Sequence, residues 1–360
     1  MKEKSTHIVF LLPEYYEVPM GGYKVVFEYA SRLSKDGFNV SLVYPSFLFF
    51  RRSRLIRKLK LLFFFLYYLV KKRKGVTWFP LDKHIKSVFV FSLRQKHVPE
   101  ADYYVATAVE TAYYLDNYHD VPPSRKYYFI QAVEDWTWGK ETVIKSWQFD
   151  MHKVVISSWL LSLLQEIGED ATLIENGVDR EGLFLIKEQT DRNTFQVMML
   201  YHKQKLKGCD DGLKALEIVR KKMPTLRSVW FGSYQKPAWL PDWIEYTQQP
   251  TIEQLNDMYN DSAIYLAPSH NEGFGLTVGE AMTCGCAVVC TDTGGFLTMA
   301  THDETALVVP VGNVQKMAEA IVRLIEDESL RHRLASKAYE SIARFTWDSA
   351  YQSFKRLFVE

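Results

Sequence analysis

Residues 263–295 read AIYLAPSHNEGFGLTVGEAMTCGCAVVCTDTGG. The apolar runs AIYLA and AVVC have the length of buried strands, whereas the segment that begins near Leu276 has a helical pattern. The loop SHNEGFG therefore follows the carboxyl end of a strand and precedes the first turn of a helix. Parallel α/β sheets bind their ligands at this position.

The loop and the start of the helix are suited to a phosphate group. Gly273 and Gly275 allow the backbone to approach a ligand without an intervening side chain. A helix that begins at Leu276 directs free N–H groups and the positive end of its dipole toward that ligand. We therefore expect Gly273, Phe274, Gly275, Leu276 and Thr277 to bind an anionic part of a substrate.

Two glutamates frame the start of this helix: Glu272 precedes it, and Glu280 lies about one turn inside it. Their carboxylates can hold neutral hydroxyls, so a nucleotide-diphosphate sugar, with phosphate between two hydroxyl-rich ends, fits both features. Lys207 follows another apolar run, FQVMMLY, and can supply a positive charge to the diphosphate. His202 and Lys203 are close enough in sequence to assist. Glu272 and Lys207 are the predicted catalytic residues.

Strand-like and helix-like runs alternate along the 360 residues, a pattern typical of parallel sheets with helices on both faces. The alternation restarts after a polar stretch, residues 179–193, which we interpret as the link between two domains. The sequence predicts an α/β protein of two doubly wound Rossmann-like domains. Residues 1–178 would bind the acceptor and residues 179–340 the nucleotide sugar, and a helix in residues 341–360 would cross back to the first domain.

Gly21 and Gly22 lie between the first predicted strand and its helix, where they permit a tight loop whose amides face a ligand. The pattern is not Gly-x-Gly-x-x-Gly, and no acidic residue ends the next strand, so the fingerprint of a nicotinamide dinucleotide site is absent. No Asp-x-Asp pair offers ligands for a metal that bridges a diphosphate. We expect no cofactor and no metal, with the nucleotide sugar as a substrate.

The stretch 195–345, some 40% of the chain, resembles the donor half of the retaining glycosyltransferases of family 4. The motif residues are Lys207-Gly208, Glu272-Gly273-Phe274-Gly275-Leu276, Glu280-Ala281-Met282, Gly285 and Gly294-Gly295. The resemblance implies GT-B architecture, in which two domains face each other across a cleft. Within this family, the resemblance extends to the glycosyltransferases of the polysaccharide and rhamnan types.

The resemblance also implies roles for individual residues. Glu272 would contact hydroxyls of the transferred sugar, Glu280 the ribose, and Lys207 the diphosphate. Gly21 and Gly22 would approach the phosphate or the acceptor. The helix around Trp347 would pack on the first domain.

The sequence departs from the family at three places, and at one of them Phe296-Leu297-Thr298 follows the glycine pair Gly294-Gly295, where an acidic residue is frequent. His202 stands where the family usually has Arg, five residues before the Lys. In the first domain, the strand KYYFIQ ends in Gln131, where a His is frequent, and Glu134 and Asp135 follow. These last three residues are the candidates for the acceptor side.

Ten basic residues and no acidic one lie between positions 51 and 74, around the apolar run LLFFFLYYLV. The run is too short to span a membrane. A helix here can lie in the headgroup plane with its cations against anionic lipid, and the alternative is a core helix with solvated ends. The membrane interpretation places the segment 48–75 at the lipid surface, with these contact residues: Arg51, Arg52, Arg54, Phe63, Phe64, Phe65, Lys71 and Lys72.

The overall composition narrows the classes of function. A net charge of +1 predicts no general attraction to nucleic acid. Four clustered cysteines predict reduced core thiols in the cytoplasm, and the N-terminal apolar run is too short for a secretion signal. We expect a cytoplasmic enzyme on the inner face of the membrane.

The function predicted is transfer of a hexosyl or deoxyhexosyl group to a lipid-linked or polysaccharide acceptor, with retention, in cell-surface glycan synthesis. Two alternatives stay open. A nucleotide-sugar epimerase would convert the donor without an acceptor, and a non-catalytic scaffold would tolerate loss of Glu272.

Overall fold

The computed structural model describes residues 5–46 and 76–359. The chain forms two compact units. The first runs as far as Glu175 and is taken up again from Tyr351, and the second spans Asn176–Ala350.

The described part of the first unit contains a parallel sheet of seven strands. Its order is β3-β2-β1-β4-β5-β6-β7, so the direction of winding reverses between β1 and β4. The strands are β1 His7–Leu11, β2 Asn39–Pro45, β3 Lys86–Val90, β4 Tyr103–Ala106, β5 Lys126–Ile130, β6 His152–Val155 and β7 Thr172–Leu173. The helices are α1 Gly21–Lys35, α2 Val109–Asp116, α3 Asp135–Trp138, α4 Lys140–Trp147 and α5 Ser158–Glu166.

The second unit contains a parallel sheet of six strands in the order β10-β9-β8-β11-β12-β13. The strands are β8 Asn193–Leu200, β9 Arg227–Gly232, β10 Ile244–Gln248, β11 Ser262–Ala267, β12 Ala287–Thr291 and β13 Leu307–Val309. The helices are α6 Cys209–Lys222, α7 Ile252–Asp261, α8 Leu276–Thr283, α9 Gly294–Leu297, α10 Val314–Glu326 and α11 Glu328–Ile342, and α12 Trp347–Arg356 follows. The prediction of two doubly wound Rossmann-like domains is confirmed.

The position of the winding reversal decides where ligands can bind. In the second unit it lies between β8 and β11, which are neighbours in the sheet. Lys207 follows β8 and Glu272 follows β11, so both residues lie at the carboxyl ends of adjacent strands. This is the edge at which open parallel sheets bind ligands.

The core of the first unit includes the end of α12. The ring of Phe354 stacks on Tyr29 with centroids 4.2 Å apart and also contacts Phe10 and Phe129. All four side chains are fully buried. Residues more than 300 positions apart thus share one apolar cluster.

Two features of the second unit go beyond the sequence predictions. The stretch 179–193, predicted as the link, packs on this unit: the amides of Phe184 and Ile186 donate to the side chains of Asn256 and Asn260 at 3.0 and 2.7 Å. The strand β10 was not predicted, because IEYTQ is polar and half exposed at the edge of the sheet.

The predicted membrane contacts at positions 51–72 lie outside the described residues. Within the described ranges, no helix combines the length and the apolar character needed to cross a bilayer.

Candidate functional site

An ion pair lies at the carboxyl edge of the second sheet. The ammonium of Lys207 donates to Oε1 of Glu272 at 2.7 Å, and both side chains are partly buried. The structure therefore brings together the two residues that the sequence predicts to be catalytic.

Glycine holds the two loops of this pair in contact. Gly208 has φ +63°, and a Cβ there would lie 1.9 Å from the carbonyl oxygen of Pro268, so a larger residue does not fit. The amide of His270 donates to the carbonyl of Leu206 at 2.7 Å. The loop that carries Lys207 is thus packed directly against the loop that carries Glu272.

Ser269 orients the Glu272 carboxylate. It is buried, and its hydroxyl donates to the same Oε1 at 2.8 Å. Its own carbonyl accepts from the hydroxyl of Thr291. Within the described part of the chain, Oε2 of Glu272 receives no hydrogen bond, so this oxygen is available to a ligand.

The helix α8 begins beside this carboxylate. Its N-cap residue, Gly275, has φ +89°, and no side chain caps the first turn. A Cβ on Gly295 would lie 2.5 Å from the carbonyl oxygen of Glu272, so α9 packs closely on this loop. The free amides at Leu276 and Thr277 can bind an anion.

Two predicted ligand contacts in this motif have buried side chains. The ring of Phe274 is buried and lies edge-on to Phe345 at 5.8 Å, so its side chain belongs to the core and only its backbone is left for a ligand. Glu280 is only 6% exposed and accepts a hydrogen bond from the hydroxyl of Tyr259 at 3.3 Å.

His202 and Lys203 follow β8 and share a contact with one aromatic residue. The ring of His202 lies edge-on to Tyr234 at 5.3 Å, and the Lys203 ammonium lies 4.4 Å from the centre of the same ring. Burial and, to a smaller extent, the Lys207 ammonium lower the pKa of His202 to about 4, and Glu272 opposes both effects. Tyr234 was not predicted, since it lies more than thirty positions away in the sequence.

A second contact, between the loop that carries Glu272 and the start of α6, was also not predicted. Nε2 of His270 lies 2.7 Å from Oδ2 of Asp211, in the first turn of α6. An isolated His and an isolated Asp have no characteristic spacing in the sequence. The pair is therefore evident only from the structure.

In the first unit, the glycine pair and Gln131 meet. Gly21 and Gly22 begin α1, directly after the loop that follows β1. A Cβ on Gly22 would lie 3.5 Å from the side-chain amide of Gln131, which follows β5. The glycine pair, predicted to approach the phosphate or the acceptor, and the predicted acceptor-side residue Gln131 therefore lie at one place.

Glu134 is half-buried near the start of α2. Its Oε2 accepts from the amide of Val109 at 3.2 Å. Burial, with the nearby carboxylate of Glu110, raises the pKa of Glu134 to about 8. Asp135, by contrast, is exposed at the start of α3. At neutral pH Glu134 is therefore mostly protonated, and it can donate as well as accept a hydrogen bond.

Among the residues that the structure describes, no three His, Cys, Asp or Glu side chains converge as ligands for a metal ion.

Solved structures with the same fold are glycosyltransferases. Sucrose-phosphate synthase from Thermosynechococcus elongatus has a TM-score of 0.74 at 14% identity, over 98% of both chains. HepE from Anabaena, solved with UDP and glucose, has a TM-score of 0.71 at 15% identity, again over 98% of both chains. The fold is that of the GT-B glycosyltransferases.

Residues 185–341 match the family model of the glycosyl transferases group 1, and they make up most of the second unit. The D-inositol 3-phosphate glycosyltransferase of Streptomyces bingchenggensis is 32% identical over 119 residues. That alignment covers 33% of this chain and 26% of the relative, so the chain spans about a quarter of the relative's length. The second unit is therefore similar to the glycosyl transferases group 1 over residues 185–341.

Proposed function

We propose that this protein is a retaining glycosyltransferase that moves a hexosyl or deoxyhexosyl group from a nucleotide-diphosphate sugar to a glycan or lipid-linked glycan. The observation that carries the proposal is the Lys207–Glu272 pair, 2.7 Å apart at the carboxyl edge of a sheet and beside an uncapped helix start. A cation and free amides suit a diphosphate, and a carboxylate suits sugar hydroxyls.

The chemistry requires stabilisation of the leaving group. Cleavage of the anomeric C–O bond leaves negative charge on the nucleoside diphosphate. Lys207 and the amides at the start of α8 would stabilise that charge, and because Gly208 and Gly275 fix these groups, little reorganisation is needed during the reaction. No metal enters this account.

Glu272 would hold the transferred sugar. Its Oε1 is occupied by Lys207 and Ser269, which leaves Oε2 to accept from a sugar hydroxyl. Glu280 would accept from the ribose. With no evident nucleophile for a double displacement, we propose attack by the acceptor on the face from which the diphosphate leaves, with retention of configuration.

The first unit would bind the acceptor. Gly22, Gln131 and the mostly protonated Glu134 offer a close backbone approach and groups that can hydrogen-bond hydroxyls. The basic and aromatic segment 48–75 would bring the protein to an anionic membrane surface, where lipid-linked acceptors are found. We propose a cytoplasmic location on the inner face of the membrane and a role in polysaccharide or cell-wall synthesis.

The test is a panel of nucleotide sugars incubated with membrane lipid extracts and polysaccharide acceptors. We expect release of the nucleoside diphosphate to depend on the acceptor, and NMR of the product to show the anomeric configuration of the donor. Inversion would exclude the proposed mechanism, and conversion of the donor alone would indicate an epimerase.

A variant and a matched control connect the activity to the site. Glu272→Ala is expected to reduce transfer by about 100-fold or more while the fold is kept. Glu326→Ala, at an exposed carboxylate that pairs with Lys222, should leave transfer unchanged. Normal turnover by Glu272→Ala would remove this carboxylate from the site.

A further inference from the structure

His202 follows β8, at the edge of the sheet that also carries the Lys207–Glu272 pair. Its backbone amide donates to the Sγ of Cys209 at 3.3 Å, and its half-buried ring lies edge-on to Tyr234. Both Lys207 and Glu272 act on the charge of this ring. The imidazole therefore follows β8 at the same carboxyl edge of the sheet as this ion pair.

The hydrogen bonds of the ring determine which nitrogen carries the proton. The amide of Gln204 lies 3.1 Å from Nδ1 of His202. Because a backbone N–H can only donate, Nδ1 must accept, and in a neutral imidazole the proton then lies on Nε2. Within the described chain, Nε2 has no hydrogen-bond partner, and it is not among the buried polar atoms that lack one. This N–H is open to a ligand.

The surroundings also determine the charge of the ring. Burial and the Lys207 ammonium lower the pKa of His202 to about 4, against the opposing effect of Glu272. The other ionisable groups nearby are the Cys209 thiol, whose pKa burial raises to about 11, and the Lys203 ammonium over Tyr234. Burial and Lys207 together outweigh Glu272, so the ring is neutral at neutral pH.

We propose that His202 binds the nucleotide as a neutral donor, with its Nε2–H directed to an oxygen of the diphosphate. The inference rests on the proposed function, since it requires a nucleoside diphosphate beside Lys207. An anionic oxygen accepts strongly from an N–H, and a neutral donor adds this bond without a second positive charge. His202 therefore contributes to affinity in a way that does not depend on pH in the neutral range.

The experiment measures nucleotide binding by calorimetry, with UDP, ADP and GDP as probes and the tightest of them carried forward. His202→Phe keeps an aromatic ring but has no donor, and we expect binding about tenfold weaker. His202→Gln can place an amide N–H near Nε2, and we expect binding within about threefold of the natural chain. His84→Gln, at an exposed histidine of the first unit, is the matched control.

The pH dependence separates a neutral donor from a cation. Ionisation of the nucleotide affects its binding to the natural chain and to His202→Gln equally. It therefore cancels in the ratio of the two affinities. We expect this ratio to be constant between about pH 5.5 and 8. A ratio that grows on acidification would indicate an imidazolium and overturn the proposal.

Other outcomes are equally decisive. If the natural chain binds none of the three nucleotides, the proposed function fails and this inference fails with it. If the natural chain binds and His202→Phe binds equally well, the inference alone is wrong. Should His202→Phe not fold, ¹⁵N NMR of the natural chain with labelled histidine still decides, because a proton on Nδ1 of His202 would overturn the assignment.

Discussion

The hydroxyl of Ser269 lies 2.8 Å from Oε1 of Glu272, the oxygen that also accepts from Lys207. Ser269 thus restricts rotation of a carboxylate that a ligand would use through its other oxygen. Ser269→Ala removes this restraint and leaves the rest of the loop in place. We expect kcat for glycosyl transfer to fall about fivefold to tenfold, with a smaller change in KM for the nucleotide sugar. Ser162→Ala, on the exposed face of α5, should leave both constants unchanged.

Gly208 combines a left-handed backbone with a close contact, and the two effects can be separated. Gly208→Ala would place Cβ 1.9 Å from the Pro268 carbonyl at φ +63°. Gly312→Ala has φ +72° with no atom within 4 Å, so it reports the backbone strain alone. We expect Gly312→Ala to lower the free energy of unfolding by about 1 kcal/mol. Gly208→Ala should lower it clearly further and weaken nucleotide binding. Equal losses in chemical denaturation would contradict the close packing of the two loops.

The raised pKa of Glu134 predicts a dependence of stability on pH. Its pKa is about 8 in the folded protein, above the ordinary value of a glutamate. Between these two values the folded state binds more protons than the unfolded state, so the contribution of Glu134 to stability falls as pH rises. Glu134→Gln should reduce this fall when the free energy of unfolding is compared at about pH 5 and pH 8. Asp135→Asn, at the exposed neighbour, should not. An unchanged profile in Glu134→Gln would mean that this carboxyl ionises normally.

The apolar cluster around Phe354 predicts that the first unit depends on the end of α12. Phe354→Ala removes a fully buried ring that stacks on Tyr29. We expect a loss of about 3–5 kcal/mol in stability. Hydrogen exchange should accelerate in β1 and β5, which carry Phe10 and Phe129. Gln352→Ala, at an exposed position of the same helix, is the control. Protection of β1 that is unaffected by Phe354→Ala would show that the cluster is dispensable.

The basic segment predicts binding to anionic membranes. We expect replacement of Lys71, Lys72, Arg51 and Arg52 by Glu to abolish sedimentation with vesicles that contain phosphatidylglycerol, because each cation contributes about 1 kcal/mol near a charged surface. Vesicles of phosphatidylcholine alone provide the control for charge. Unchanged sedimentation would favour the alternative of a core helix.

The sequence predicted those features that depend on order along the chain. Alternating apolar runs gave both sheets, and because parallel strands end at one edge, Lys207 and Glu272 were expected to meet. Glycines at the start of α8 indicated a free helix terminus, which the uncapped Gly275 matches.

Features that depend on tertiary contact could not be predicted. The inward ring of Phe274 and the tie between His270 and Asp211 depend on which face of each loop packs on its neighbour. The pKa values of His202 and Glu134 depend on burial, which has no local signature in the sequence. The strand β10 was missed for a different reason: an edge strand with few apolar residues resembles a loop.

The shared core of α12 and the first unit has a consequence for biosynthesis. A ribosome synthesises β1 some 350 codons before Phe354 and Phe358. Until those residues leave the exit tunnel, the apolar surface around Tyr29 and Phe129 has no cover from them, whereas the second unit already has its whole chain. The first unit is therefore the last to receive its complete apolar core, and a transcript truncated shortly after codon 350 would yield a chain with the whole second unit and a first unit that lacks the cover of Phe354 and Phe358.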